Sequence, residues 1–422
     1  MKNKISYYLV RGLTFPISLL PLRWIHSMGK VLGHIAYHVL TRYRKRTLSN
    51  LALAKSLHLS ENQLKHIAVR SFQNLAITCL EYGKFTRMKN TKKALICENP
   101  DEAKAIIDSG KGIIFFCGHQ ANWEVLFLEG TQRMPGVAIG RPIKNNDLYN
   151  WVVRMREQYG GTIIRPKETI KQGFRALKKG KFLGIVGDQG MPESDYAFPF
   201  FGRRAWTSVA PALLAYKAKC PIMVATVKRT KGTYRIHYSH PIWPNLEAPL
   251  EEEIQRLMTE SLTLLEDKIR ATPDQWLWQH NRWKQETPLN IYYRYRWDSI
   301  LIILPDDPAP YLSHLQTFRE IYPKAFITIL SPSQMALQDA EILTYKEKKD
   351  LFLHDYRFKL IFNFSGEKSL KKHFLKLSAF EVLDEDGLRQ SAAEHLTGNE
   401  TLSLLLKKAL CRPNTIWEKH AN

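Results

Sequence analysis

The residues His119 and Glu124 form the pair in this 422-residue chain that most directly suggests catalysis. An imidazole titrates near neutral pH, so it can take a proton from a hydroxyl group when a carboxylate holds the ring in one tautomer. His119 follows an apolar run at 113–117 that predicts a buried strand, and Gly118 permits a turn. Glu124 would open the next helix, where the helix dipole favours its ionised form. The spacing predicts a general base, His119, oriented by Glu124.

Two other interpretations of this stretch stay open from the residues alone. A histidine near a glutamate is also typical of a helix-capping turn with no chemistry. Cys117 lies two residues before His119, and alternate residues of a strand share a face. An acyl-enzyme on Cys117 with His119 as its base is therefore a rival mechanism. A cysteine within an apolar strand is more often an inert core residue.

Two arginines are candidate substrate ligands. Arg141 follows a predicted strand at 136–140, and a guanidinium can hold a phosphate through two parallel hydrogen bonds. Arg156 lies at the end of a predicted helix at 146–159 and is a weaker candidate of the same kind. Either residue could instead be an ordinary solvated surface arginine.

A second group of candidates follows the predicted strand at 182–186. Asp188 and Gln189 lie just past its end, in the sequence Gly-Asp-Gln-Gly. The Asp188 carboxylate could brace an arginine or His119, or it could cap its own turn. Both residues are predicted to contribute to the substrate site.

Arg203 and Arg204 combine positive charge with nearby aromatic residues. Phe200, Phe201 and Trp206 surround them in the sequence. Such a combination suits an amphiphile with a phosphorylated head group, and it would also suit single-stranded nucleic acid. We include both arginines among the predicted substrate-binding residues.

No metal or cofactor is predicted. His237 and His240 have ligand-like spacing, but a metal site needs three or four ligands and no cysteine or carboxylate lies beside them. The five cysteines are scattered without paired spacing, which is typical of a reducing compartment. Glycine-rich phosphate-binding signatures are absent from the sequence.

The charge balance indicates an anionic partner. The net charge is +22, which favours nucleic acid, an anionic membrane surface or a phosphorylated lipid. Residues 1–60 hold ten Lys or Arg and no acid. The sequence has no uncharged apolar run of the ~18 residues that a membrane span requires, and no secretory cleavage site. This segment is predicted to lie in the interface of an anionic leaflet, the alternative being a basic solvated helix packed on the domain.

Strands alternating with helices are predicted to position these residues. The alternation favours an α/β sandwich around a mixed, mainly parallel sheet, followed by a smaller C-terminal Rossmann-type α/β unit. In that smaller unit a helix is expected at 335–343. The predicted domains are a basic amphipathic segment at 1–60, a main domain at 61–296 and a C-terminal domain at 297–422.

An ordered series of motifs resembles a known family. The series runs from His119 and Glu124 through Arg141-Pro142, Arg154-Met155-Arg156, Gly187-Asp188-Gln189, Phe200–Thr207 and the tryptophan-rich segment Pro273–Lys284. It resembles the lipid A biosynthesis acyltransferases, within the lysophospholipid acyltransferase superfamily. The resemblance covers roughly residues 5–290 and leaves the C-terminal unit outside.

This resemblance implies a specific reaction. An acyl group would pass from acyl carrier protein to a hydroxyacyl chain of a lipid A precursor, at the cytoplasmic face of a bacterial inner membrane. His119 would be the base and Glu124 its orienting carboxylate, with no metal. The C-terminal unit weakly resembles half of a two-lobed glycosyltransferase, and no catalysis is expected from it.

Three rival functions are kept. The acceptor could be a glycerophospholipid or another glycolipid. The chain could be a basic nucleic-acid-binding protein without catalysis, although that leaves the motif series unexplained. It could also be an acyltransferase relic that acts as a scaffold.

Overall fold

The computed structural model describes residues 2–89, 91–288, 290–398 and 400–413. The chain forms two compact units, one of residues 1–40 and 54–282 and the other of residues 41–53 and 283–422. The boundaries of these units differ from those of the predicted domains, and the predicted division of roles among the three domains stays a prediction.

Four helices occupy the N-terminal part of the chain. The helices are α1 (Lys2–Leu19), α2 (Leu22–Val39), α3 (Thr41–Leu53) and α4 (Glu61–Arg87). α1 continues through Pro16, and Pro21 precedes the first residue of α2. A capping box begins α4, since the side chains of Ser60 and Gln63 exchange hydrogen bonds with each other's backbone.

α2 packs closely on α4 because two glycines face it. A Cβ atom on Gly33 would lie 2.3 Å from the Cα of Gln73, and one on Gly29 would lie 2.7 Å from the Cα of Ile77. Larger residues would separate the two helices. No described helix is both long and apolar enough to cross a membrane.

The first unit contains a seven-stranded sheet in the order β1-β9-β8-β2-β5-β3-β4. Only the β8–β9 pair is antiparallel, so the predicted mixed, mainly parallel sheet is confirmed. The strands of this sheet are β1 (Leu95–Cys97), β2 (Ile113–Cys117), β3 (Gly136–Ile139), β4 (Thr162–Ile164), β5 (Phe182–Val186), β8 (Ile222–Arg229) and β9 (Tyr234–Tyr238). A separate hairpin is made by β6 (Ala197–Phe200) and β7 (Arg203–Trp206).

Six helices of the first unit lie between or after the strands of this sheet along the chain. They are α5 (Asp101–Asp108), α6 (Glu124–Gly130), α7 (Asn146–Arg156), α8 (Phe174–Lys178), α9 (Ala210–Ala218) and α10 (Leu250–Ala271). Buried side chains from both faces of β2 fill the core, with Phe115 stacked on Tyr238 at a ring separation of 4.5 Å. Because β2 is central and apolar throughout, the residues at its carboxyl end have a fixed position.

The second unit is a five-stranded parallel sheet in the order β12-β11-β10-β13-β14, which confirms the predicted Rossmann-type unit. Its strands are β10 (Ser299–Ile303), β11 (Phe326–Ser331), β12 (Ala340–Thr344), β13 (Leu360–Asn363) and β14 (Glu381–Leu383). Its helices are α11 (Ala309–Leu312), α12 (Leu315–Ile321), α13 (Ser369–Lys376), α14 (Glu385–Ala392) and α15 (Leu402–Leu410), together with α3 from the N-terminal part of the chain.

The prediction of a helix at 335–343 is wrong. That range runs into β12, an edge strand that pairs in parallel with β11. Pairing with the neighbouring strand outweighs a local apolar spacing that suited a helix. α3 is tied to this unit by hydrogen bonds from Lys45 to the carbonyl of Ala379 and from Ser49 to that of Arg357, both 2.7 Å.

Candidate active site

His119 and Asp188 meet at the carboxyl ends of two neighbouring strands. β2 and β5 pair in parallel with Cys117 opposite Val186, so the residues two positions further on emerge side by side. Asp188 Oδ1 lies 2.6 Å from His119 Nδ1, and Asp188 Oδ2 accepts the backbone N–H of His119 at 2.7 Å. This edge is where open parallel sheets carry their chemistry.

Asp188 fixes the tautomer of His119. Burial alone would raise the pKa of Asp188, but the charge and hydrogen bonds of His119 hold it at about 2. An ionised carboxylate only accepts hydrogen bonds, so His119 Nδ1 carries the proton that it shares with Asp188. The lone pair of the neutral ring then lies on Nε2, which is 3.1 Å from the Nε2 of Gln189. His119 has the arrangement of a general base supported by a buried carboxylate.

Trp276 completes the support of Asp188. The Trp276 indole donates a hydrogen bond to Asp188 Oδ2 at 2.6 Å, and the indole is almost fully buried. The backbone of the same segment holds the turn that carries the base, because Leu277 N–H donates to the His119 carbonyl at 3.0 Å. The tryptophan-rich segment therefore positions the histidine as well as filling the core.

The predicted pairing of His119 with Glu124 is corrected by the structure. Glu124 makes a two-pronged ion pair with Arg156, with Oε2 2.7 Å from Nε and Oε1 2.6 Å from Nη2. Tyr82 also donates a hydrogen bond to Glu124 Oε1 at 2.7 Å. Glu124 is the first residue of α6 and Arg156 the last of α7, so tertiary packing brings this pair together. Asp188, rather than Glu124, bonds the ring of His119.

The Glu124–Arg156 pair is buried and ionised. Burial works against the charge of Glu124, but Arg156 and Tyr82 lower its pKa below the usual value. Arg156 is likewise desolvated, and Glu124 raises its pKa. Because the guanidinium fork is occupied by Glu124, Arg156 is held in place as part of the cavity wall.

A cavity of about 450 Å³ opens beside His119. Its wall contains His119, Glu124 and Arg156 together with a larger number of apolar and aromatic side chains. The apolar part of the wall includes Phe115, Leu126, Phe127, Ala138, Ile139, Ile163, Phe182, Ile185, Val186 and Ala225. We call this space the acyl cavity, after the fatty acyl substrate that the resemblance predicts. Its size is in the range of small-molecule sites, which are about 300–1,000 Å³.

Cys117 lies in this wall in surroundings that disfavour its thiolate form. It is buried, and its Sγ lies 3.5 Å from the carbonyl oxygen of Ile185. Burial, followed by the nearby charges of Asp188 and Glu124, raises the pKa of the thiol far above its usual value. Since the thiolate is the nucleophile, this environment disfavours the acyl-enzyme route.

The remaining predicted ligands divide into two groups. Arg141 and Gln189 line the acyl cavity, and the Arg141 side chain is exposed. Arg203 and Arg204 lie on the β6–β7 hairpin and do not line this cavity, and Arg204 bonds the Ala197 carbonyl across the hairpin at 3.4 Å. The structure therefore brings His119, Glu124, Arg141, Arg156, Asp188 and Gln189 together and leaves the hairpin arginines outside.

Two site residues were missed by sequence reasoning. Tyr82 lies toward the C-terminal end of α4, where nothing in a helical pattern distinguishes it from other aromatic residues. Trp276 lies in the tryptophan-rich segment of the motif series, and its hydrogen bond to Asp188 is a role that the aromatic spacing does not indicate. Both contacts join residues distant in sequence.

No group of three or more His, Cys, Asp or Glu side chains suited to a metal ion occurs among the described residues. The imidazole of His240 is 3.2 Å from Glu260 on the protein surface, and the pKa of His237 is lowered by partial burial and then by the charge of Lys268.

Comparison with known proteins points to one family. The family described as "Bacterial lipid A biosynthesis acyltransferase" matches residues 2–285. The chain is 23% identical over 288 residues to "Lipid A biosynthesis lauroyltransferase" of Escherichia coli (strain K12), covering 67% of this chain and 92% of that protein. It is 26% identical over 270 residues to "Lipid A biosynthesis palmitoleoyltransferase" of the same organism, covering 63% of this chain and 86% of that protein. The same identity and coverage relate it to "Lipid A biosynthesis acyltransferase" of Shigella flexneri.

The matched range contains every residue of the site described above and ends close to the end of the first unit at Arg282. A family match over 2–285 of 422 residues, together with this site, supports acyl transfer in lipid A biosynthesis. The chain belongs to the bacterial lipid A biosynthesis acyltransferases.

Proposed function

We propose that this protein transfers a fatty acyl group from acyl carrier protein to a hydroxyacyl chain of a lipid A precursor, with His119 as general base. The single observation that carries the proposal is the contact of His119 Nδ1 with the ionised Asp188 at the wall of an apolar cavity. This arrangement puts a base next to a space that can hold a hydrocarbon chain.

In the proposed reaction, His119 Nε2 removes the proton of the acceptor hydroxyl as the oxygen attacks the thioester carbonyl. The tetrahedral intermediate then collapses, the carbon–sulfur bond breaks, and the carrier thiolate takes the proton back from His119. Base catalysis of this type contributes on the order of 10²- to 10⁴-fold. Positioning and stabilisation of the developing oxyanion must supply the rest.

Three further residues have proposed roles in this reaction. Arg141, exposed at the acyl cavity, would bind a phosphate of the acceptor. Gln189, next to His119 Nε2, would orient the incoming hydroxyl. Arg156 acts as a positioning residue that holds Glu124.

We also propose that the protein works on the cytoplasmic face of a bacterial inner membrane. α2 exposes a row of apolar side chains, with Trp24 66% and Val39 69% exposed. Basic residues such as Arg23 and Lys30 flank this row. A helix of this kind lies in the interface of an anionic leaflet.

The test is acyl transfer by the full chain from acyl carrier protein to a tetra-acylated lipid A precursor, followed by mass spectrometry. We expect the product to gain one acyl chain with wild type and with Cys117→Ala alike. Parallel reactions contain a lysoglycerophospholipid acceptor.

Transfer to the lysoglycerophospholipid but not to the lipid A precursor would reject the proposed acceptor. An acylated protein that forms in wild type and disappears in Cys117→Ala, together with loss of transfer, would reject direct base catalysis in favour of the covalent route.

A further inference from the structure

A second cavity of about 450 Å³ lies in the first unit, and the proposed reaction does not use it. Four segments form its wall: α2, α4, the turn between β8 and β9, and the stretch at 274–275. The charged residues of the wall are Arg23, Lys30, Arg70, Arg229, Lys231 and Asp274, with His26 beside them. We call this space the basic cavity, because five cations face a single carboxylate.

Two of these cations already have partners. Arg70 forms an ion pair with Asp274 at 2.7 Å. Arg229 is buried and lies 3.2 Å from Glu81, a fully buried carboxylate on α4. Their charge is therefore largely balanced within the protein.

The charges of the other three cations are not balanced in this way. Among the described residues, no carboxylate lies within ion-pair distance of Arg23, Lys30 or Lys231. The turn between β8 and β9 packs against Arg23, since a Cβ on Gly232 would lie 3.0 Å from its Cγ. An anion that enters this cavity would meet an uncompensated positive field in a concave site.

The floor of the basic cavity is a rigid network. Glu81 is held by Arg229, by His26 at 2.7 Å, by Asn122 at 2.9 Å and by the hydroxyl of Tyr234. Burial disfavours the charge of Glu81, but these partners, led by Arg229, lower its pKa. Because the network is already satisfied, a ligand would find the free cations in place without rearranging the floor.

The position of α2 indicates what carries the anion. Arg23 and Lys30 line the cavity from one side of this helix, while Trp24 and Val31 project from it into solvent. Exposed apolar residues beside exposed cations on one helix suit the boundary between lipid tails and head groups. A guanidinium and two ammonium groups suit a phosphate.

We propose that the basic cavity binds the phosphate group of a membrane lipid through Arg23, Lys30 and Lys231. This site is separate from the acyl cavity and from Arg141. The binding does not depend on acyl transfer, so it can be tested without an acyl donor.

The experiment is isothermal titration calorimetry of the full chain with dihexanoylphosphatidic acid below its micelle concentration. We expect saturable binding, weakened about tenfold or more in the double variant Arg23→Gln/Lys231→Gln, which corresponds to about 1.4 kcal/mol. Both side chains are exposed, so the variant is expected to fold. The double variant Arg23→Lys/Lys231→Arg keeps both positive charges and should retain most of the wild-type affinity.

Two control variants locate the binding. Lys171→Gln/Lys217→Gln removes the same charge from exposed positions outside both cavities and should bind as wild type does. Arg175→Gln removes an arginine from another exposed position outside both cavities and should also bind as wild type does. Equal weakening in either control, or unchanged binding in Arg23→Gln/Lys231→Gln, would overturn the proposal.

Two control ligands identify the source of the phosphate. Dihexanoylphosphatidylcholine, which has the same tails and no net charge, should bind much more weakly than the phosphatidic acid. Inorganic phosphate should also bind more weakly, because it lacks tails that contact α2. Affinity for inorganic phosphate equal to that for the lipid would reject a lipid as the ligand.

Discussion

The acyl cavity and the basic cavity have the same volume but handle charge in opposite ways. At the acyl cavity the buried charged groups are paired, His119 with Asp188 and Glu124 with Arg156, and the cation Arg141 is exposed. In the basic cavity three cations have no carboxylate partner among the described residues. The first cavity therefore suits the proposed apolar chain and proton transfer, whereas the second has charge that a ligand would neutralise.

This difference has an energetic basis. Charges at the wall of an apolar space must be paired, because an unpaired buried charge is costly. Exposed charges such as those of Arg23, Lys30 and Lys231 are hydrated, so they can stay unpaired until an anion arrives. Changes to the acyl cavity should consequently affect catalysis or folding, while changes to the basic cavity should affect binding alone.

The largest expected effect comes from Asp188→Asn. An amide at this position can donate to His119 Nδ1, which stabilises the tautomer with its proton on Nε2 and removes the base. We expect the rate of acyl transfer to fall about 10²- to 10⁴-fold with lipid binding at the basic cavity unchanged. Rates from mass spectrometry and affinities from calorimetry check both parts.

Asp195→Asn is the matched control, since Asp195 is exposed and outside both cavities. Its acyl transfer should equal that of wild type. Full activity in Asp188→Asn would remove Asp188 from the catalytic arrangement.

Glu124→Gln should act mainly on stability. It leaves the buried Arg156 without its carboxylate, and breaking a buried pair in this way costs about 3–5 kcal/mol. Urea unfolding should show this loss, while Glu102→Gln, at an exposed position on α5, should stay within about 0.5 kcal/mol of wild type. A stability loss no larger than that of Glu102→Gln would mean that the Glu124–Arg156 pair is not the buried ion pair described.

The pH dependence of stability should reveal the low pKa of Asp188. The pKa of Asp188 is depressed to about 2 in the folded protein, compared with ~3.9 in the unfolded chain. Its contribution to the free energy of unfolding is therefore fully present above pH ~3.9 and is lost as the pH falls through about 2. The shift corresponds to roughly 2–3 kcal/mol. The difference in unfolding free energy between wild type and Asp188→Asn should shrink as the pH falls from about 4 toward about 2. A difference that does not change with pH would contradict the assigned ionisation.

The smallest expected effect is on acyl chain length. Gly184 lines the acyl cavity, and an added Cβ would meet Ala138 at an ordinary contact distance of 3.4 Å. Gly184→Val should therefore fold but shorten the cavity, shifting preference toward shorter acyl donors by roughly tenfold. Thr162→Val, on an exposed strand position, should leave the preference unchanged. Competition between acyl donors of different length measures the shift. An unchanged preference in Gly184→Val would mean that the acyl chain binds outside this cavity.

Strand ends were the part of the site that the sequence predicted best. The runs at 113–117 and 182–186 are apolar throughout and bounded by glycines, and the structure has strands at those residues. Two parallel neighbours place His119 beside Asp188, which was one of the alternatives open for Asp188. The choice between alternatives required the strand order, because only adjacency of β2 and β5 decides which residues meet.

The partner of Glu124 could not be predicted from the sequence in the same way. Sequence proximity suggested His119, whereas the actual partner, Arg156, is set by how α6 and α7 pack. The basic cavity is less accessible still to sequence reasoning, since four separate segments build it. The excess of lysine and arginine before residue 60 indicated an anionic surface but not which cations would remain unpaired.

The central claim is that His119 is the base, and the most direct test is the rate of acyl transfer from acyl carrier protein to the lipid A precursor by His119→Ala. His66→Ala is the matched control, because His66 is exposed on α4 and outside both cavities. We predict a loss of about 10²- to 10⁴-fold in His119→Ala and none in His66→Ala, with both variants folded. A folded His119→Ala variant that transfers acyl groups at the wild-type rate would contradict the account.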